Sequence, residues 1–193
     1  MPHSHSPMNQ LHSIELGSAL LRLARGAIAE KLGLEVPEEE PAHPDLEAPG
    51  ASFVTLTQSG ELRGCIGSLE AHRRLGHDVR ENAVAAAFRD PRFSPLKSEE
   101  FSCTKVEVSL LTTPEGIAFE SEEDALVMLR PGIDGVILMQ GHHRATFLPQ
   151  VWDSLPDPRQ FLAQLKRKAG LPGHFWSEDV ALARYQVTKW REA

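Results

Sequence analysis

The run Leu62-Arg63-Gly64-Cys65-Ile66-Gly67-Ser68-Leu69 brings a thiol, a fixed positive charge and two glycines into one short stretch. A cationic neighbour favours thiolate over thiol, and thiolate is the form that attacks electrophiles or binds metals. Read as a strand, the run alternates, with Leu62, Gly64 and Ile66 on one face and Arg63, Cys65 and Gly67 on the other. That places the sulfur beside the Arg63 guanidinium. Glycine weakens a strand interior unless a bulge, a bend or an approaching ligand needs the space. Cys65 is therefore a candidate nucleophile. The opposing reading is a small buried hydrophobe, because unpaired cysteine is among the most buried residue types.

A cysteine nucleophile needs a base within hydrogen-bond reach, and His72, with His77 and His142 behind it, is the candidate partner. No protease or acyltransferase signature accompanies the cysteine. An anion-binding site demands less. Arg63, Arg92 and Arg144 can grip phosphate or carboxylate while Gly64 and Gly67 let backbone amides come close. Asn82 adds donors and an acceptor, Asp90 can orient an arginine, and Asp134-Gly135 with Thr146 can form a facing wall. Each has a structural counter-reading: an ion pair tying a loop to a helix end for Arg89, Asp90 and Arg92, turn geometry for Asp134-Gly135, and strand propensity for Thr146. His142 and His143 fall in a predicted turn, where neighbours point to opposite sides. Without a CxxC, HxxxH or HExxH spacing, no metal is assigned and the cofactor is left undefined. His3 and His5 are given no role.

These residues need a scaffold. Phe53 to Thr57 is β-branched-rich and meets the central run through Gln58-Ser59-Gly60-Glu61, so the two form a hairpin. Ahead of it, apolar spacing predicts a helix over Ile14 to Leu32, capped by Ser13 and ended by Gly33, followed by a proline- and glutamate-rich connector to Gly50. Asp78 reads as the cap of a helix stopped by Asp90-Pro91. A half-buried strand follows at Lys105 to Leu111, and Thr112 to Gly116 reads as a boundary. Beyond it come a helix capped by Ser121, two strands around Gly141-His142, a helix capped by Asp157, and a last strand from Val180 to Trp190 that returns to the first sheet. The predicted organisation is a flexible tail over 1–12, a larger discontinuous subdomain over 13–115 and 175–193, and a smaller one over 116–174.

A chain of 193 residues with 41% apolar content can build such cores. Its net charge of -7 gives no broad attraction to nucleic acid or anionic lipid. Two cysteines far apart suit a reduced compartment, and no apolar run approaches the roughly 20 residues of a membrane span, so a cytoplasmic location is expected.

LRGCIGSL, together with DVRENAVAAAFRDPRF from Asp78 to Phe93, RPGIDGVIL from Arg130, ATFLPQVW from Ala145 and FLAQLKRKAGL from Phe161, resembles the AMMECR domain family. Its bacterial and archaeal members are called AmmeMemoRadiSam system protein A. The resemblance implies an α+β fold of two unequal subdomains, antiparallel-rich sheets covered by helices, with a groove between them. It also implies a pathway shared with Memo-type and radical S-adenosylmethionine (radical SAM) proteins. This chain lacks the three-cysteine cluster motif of a radical SAM enzyme, so that chemistry falls to a partner. The expected site is a groove with Arg63, Cys65 and the Asp90 to Phe93 corner on one side and Asp134 and Arg144 opposite. It would handle a small anionic molecule or modification substrate; the alternative is a non-catalytic interaction or regulatory module.

Overall fold

The computed structural model describes residues 7–193, with side chains from residue 13 onward. The expectations for His3 and His5 lie outside the described residues. The chain begins with α1 (Pro7–Leu32) and builds β1 (Pro49–Gln58), β2 (Glu61–Gly67), β3 (Arg73–Arg74), α2 (Leu75–Phe88), α3 (Ser98–Phe101) and β4 (Thr104–Leu111). It continues through β5 (Glu115–Gly116), α4 (Glu122–Met128), β6 (Gly135–Gln140), β7 (His143–Phe147), α5 (Pro158–Lys168) and β8 (Ala181–Tyr185), and ends on β9 (Val187–Arg191). The fold is α+β with antiparallel sheets, and it divides into a unit of residues up to Leu111 with Thr188–Ala193 and a unit of Thr112–Val187.

In the first unit the strand order is β2-β1-β4-β9, with β3 paired to the start of β1. The β1–β2 hairpin closes through Ser59 and Gly60, both left-handed at φ 50° and 84°. Such a two-residue turn matches the twist of the strands it joins. Val54, Leu56, Val106 and Val108 face the helices and are at most 1% exposed. Against them pack Leu20, Leu23 and Ile28 of α1 and Val79, Ala83, Ala86 and Ala87 of α2. Alanines at these positions bring α2 so near the sheet that a Cβ on Gly64 would overlap the Ala86 carbonyl oxygen.

Two helix starts differ from expectation. α1 begins at Pro7, so residues 7–12 of the predicted tail are helical and Ser13 is internal instead of capping. α2 begins at Leu75, whose amide donates to the Ala48 carbonyl at 2.8 Å, so Asp78 lies in the first turn, turned inward.

The second unit has the order β5-β8-β6-β7. Its core gathers Val136, Leu138, Leu182, Leu162, Leu165 and Phe161, with the Trp152 ring stacked on Phe161 at 3.6 Å between centroids. Ser121 and Asp157 cap α4 and α5 as their sequence positions predict, accepting from the amides of Asp124 and Gln160. The predicted last strand is two strands. At Gln186 the chain leaves the second sheet for the first, and Thr112 clips that crossing: Gln186 N–H donates to Thr112 Oγ1 at 2.8 Å and Thr112 N–H to the Gln186 carbonyl at 2.9 Å. Among the described residues no helix is long and apolar enough to cross a membrane.

Candidate functional site

β2 is an edge strand, and its pairing with β1 contains one irregularity. Gly64 faces Leu56 and Leu62 faces Thr57, so Arg63 is an extra residue in a β-bulge. Because strand side chains repeat every two residues, a shift of one moves every later side chain to the other face. Counted straight from the Ser59-Gly60 turn, Cys65 would oppose Val54 and enter the core. With the bulge it opposes Thr55, on the face α1 and α2 do not cover. Thr55 Oγ1 donates to Cys65 Sγ at 3.3 Å, and next along the same cross-strand row stands Glu107, opposite Thr55 on β4. Glu107 in turn accepts from Arg191 Nη2 at 2.5 Å.

The backbone of Cys65 is held from the open edge. Asp90 Oδ2 accepts from its N–H at 2.9 Å, and Arg92 Nη2 donates to its carbonyl at 3.3 Å. Asp90 also takes both Nε and Nη2 of Arg92, at 3.0 and 2.7 Å, so a carboxylate and a guanidinium stand where a neighbouring strand would supply acceptor and donor. An exposed edge invites pairing with another chain, and this ion pair closes it at Cys65. The Arg92 hydrogen bond is the main reason that the Asp90 carboxyl is held far below the usual carboxylate range; the Cys65 amide adds to it. Reciprocally Arg92 is held protonated above the ordinary guanidinium range, first of all by its hydrogen bond to Asp90.

Arg63 turns elsewhere. The bulge breaks the alternation that would set it beside Cys65, and its Nε and Nη2 donate to the two carboxylate oxygens of Glu100 at 3.0 and 3.2 Å. Arg63 and the amide of Lys97 hold Glu100 at about 2, below its ordinary 4.5. Arg63 Nη1 is buried without a hydrogen-bond partner among the described residues, and both guanidiniums lie over the Phe93 ring, Arg63 Cζ 5.9 Å and Arg92 Cζ 5.5 Å from its centroid. The guanidinium bonded to Cys65, at its backbone carbonyl, is thus that of Arg92.

The other expected residues have these surroundings. The space beside Gly64 is taken by α2, and that beside Gly67 by the Phe53 ring, so neither opens a path to backbone amides through a missing side chain. Asn82 is 3% exposed and donates to Ser52, Ser68 and Asp78. Asp78, at 1% exposure, accepts in addition from Ser52, Ser68 and Arg73, knitting α2 to β1 and to the segment after β2. His72 stands in solvent, 3.3 Å from Glu70. Asp134, Arg144 and Thr146 belong to the second unit. Asp134 is fully buried and grips Arg130 through both carboxylate oxygens, while Thr146 donates to the Val136 carbonyl at 2.9 Å and meets the Tyr185 hydroxyl at 3.0 Å. Arg144 is exposed on β7. His143 Nδ1 engages the Ala169 carbonyl at 2.9 Å. Among the described residues no three His, Cys, Asp or Glu side chains converge as a metal site.

Thr55 and Glu100 were not foreseen. A count from the turn names Val54 as the partner of Cys65, and only the bulge substitutes Thr55. Glu100 sits thirty-seven positions from Arg63, with no local signal joining them.

These features define an α+β protein of two antiparallel-sheet units whose first sheet ends in a bulged Arg-Gly-Cys edge strand closed by an Asp-Pro-Arg corner. The AMMECR1 family model matches residues 21–190, and the chain belongs to that family. It is 38% identical over 186 residues to a protein of Methanothermobacter thermautotrophicus, covering 91% of this chain and 94% of that one. With a protein of Aeropyrum pernix it shares 39% identity over 182 residues, 91% of this chain and 78% of that one. The crystal structure of an uncharacterised protein from Pyrococcus horikoshii is similar at a TM-score of 0.79 and 37% identity, covering 92% of each chain.

Proposed function

We propose that the chain binds a small anionic molecule or modification substrate on the Cys65 face of its first sheet, with the Cys65 thiol as the reactive group. The observation that carries this is the bulge at Arg63, which turns the sulfur out of the core to where the Thr55 hydroxyl donates to it. Arg92 adds a half-exposed guanidinium at the same residue. A hydroxyl donor and a cation both stabilise negative charge, whether on sulfur or on a bound anion. The pathway we assign is the one the family resemblance implies, with Memo-type and radical SAM proteins supplying the chemistry two cysteines do not.

Cys103 provides an internal reference, since it is exposed whereas Cys65 is half-buried. With iodoacetamide at neutral pH and peptide mass spectrometry, Cys65 is expected to react faster than Cys103, and Arg92→Ala to slow it. A Cys65 that reacts more slowly than Cys103 overturns the reading.

A second reading, a non-catalytic interaction module, draws on one observation: Arg63 and Arg92 are each already matched to a carboxylate. Full cellular function in a Cys65→Ser strain favours it.

A further inference from the structure

On the helix side of the first sheet, away from the face that carries Cys65, lies a cleft of about 700 Å³. α1 forms one wall and the segment 35–41 the other, with Phe101 and Glu192 at one end. Its apolar surface comes from Leu21, Ala29, Val36 and Phe101, and Val36 stays 42% exposed there instead of joining the core. Pro37 and Pro41 restrict the backbone of the outer wall, which lowers the entropy lost when a ligand is held.

The rim is acidic. Six glutamates line the cleft against three arginines. Two of those arginines are committed: Arg25 to Glu192 and to the Thr104 carbonyl, Arg80 to Glu30 and Glu40. Among the described residues, Glu35, Glu38 and Glu39 are left with Arg22, whose Nη2 reaches the Glu39 backbone carbonyl at 3.5 Å. An apolar floor beneath uncompensated negative charge selects for a molecule with a cationic head and a hydrocarbon body. The volume falls within the range of small-ligand pockets, whereas a stable protein interface spreads over roughly 800 Å² of each partner.

We infer that this cleft binds a small organic cation, an amine or guanidine carrying an apolar tail. The tail lies along Val36, Leu21 and Phe101, and the head sits at Glu38 and Glu39. This site is separate from the one proposed at Cys65, and neither depends on the other.

The test uses the full chain labelled with nitrogen-15 and millimolar octylammonium at pH 7, with octanoate and octanol as matched tails of other charge. Octylammonium is expected to shift the amides of residues 18–29 and 35–41 saturably, octanol more weakly, and octanoate not at all. Glu38→Gln/Glu39→Gln should weaken the octylammonium Kd by about five-fold, because both charges are exposed and screened. Val36→Ser, an exposed position that leaves the core intact, should weaken it as well. Equal shifts with octanoate, shifts scattered away from the cleft, an unchanged Kd in both variants, or a cleft that takes up only a basic peptide would each overturn the inference.

Discussion

Glu100 carries a pH-dependent share of the stability of the first unit. Arg63 first, and then the Lys97 amide, hold its carboxyl at about 2 against an ordinary 4.5. Between those two values the unfolded chain binds a proton that the folded chain does not, so this stabilisation is complete above about pH 4.5 and is lost as pH falls towards 2. Glu100→Gln is expected to flatten the fall in melting temperature over that window relative to the parent protein. It should also destabilise at pH 7, because Arg63 is left with its guanidinium buried and unmatched. Thermal melts followed by circular dichroism at half-unit pH steps check both outcomes. Asp90 acts in the same direction, with a carboxyl held still lower by Arg92. How the sulfur is placed could be read only in part from its neighbours. Alternation correctly separates Cys65 and Gly67 from Gly64 and Ile66, but Leu62 opposes outward-facing Thr57 and Arg63 is the inserted residue. An insertion of that kind leaves no mark in composition. It is imposed by the fit of Gly64 against α2, which is a tertiary contact.

At the scale of elements, the two glycines flanking Cys65 make a paired prediction. A Cβ at Gly64 would overlap a backbone atom, the Ala86 carbonyl oxygen, whereas at Gly67 it would meet the Phe53 ring, a side chain. Backbone of a packed helix moves only with the helix, so Gly64→Ala is expected to cost about 2–3 kcal/mol or more of overpacking. A ring can rotate away, so Gly67→Ala should cost clearly less. Urea titration of both variants, with the slope checked for two-state behaviour, separates them; an equal cost would mean that β2 and α2 pack less closely than the structure has them. Elements whose punctuation is local were legible: the Ser59-Gly60 turn, the Ser121 and Asp157 caps, and the apolar stripe of α5. The start of α2 was not, because Asp78 has the chemistry of a cap and yet is drawn inward by Ser52, Ser68, Arg73 and Asn82. A carboxylate that finds five donors in the fold has no need of the helix terminus.

At the scale of the whole molecule, the chain crosses from one sheet to another twice, and its two hydrophobic cores draw on separate sets of residues. Every residue of the second core lies between Thr112 and Val187. The first unit depends on its return strand. Trp190 lies so close to α1 that a Cβ at Gly17 would overlap its indole, and Glu192 accepts from Arg25 and from the Val106 amide at 2.9 Å while its own amide donates to the Val106 carbonyl at 3.0 Å. A fragment of residues 112–187 is therefore expected to unfold cooperatively in urea with a stability of about 3–5 kcal/mol, the scale that a core of this size supports. Residues 7–111 alone should be the weaker fragment. They keep α1 and β4 yet lose the strand that pairs with β4, and they leave the part-buried Arg25 without the carboxylate that matches it. Supplying residues 186–193 as a separate peptide restores those bonds only at the entropic cost of association, so recovery should require peptide in excess and rise with its concentration. If 7–111 proved as stable as the unit within the full chain, the return strand would be an attachment to a sheet complete without it, and the bonds from Glu192 would contribute nothing to holding α1 in place.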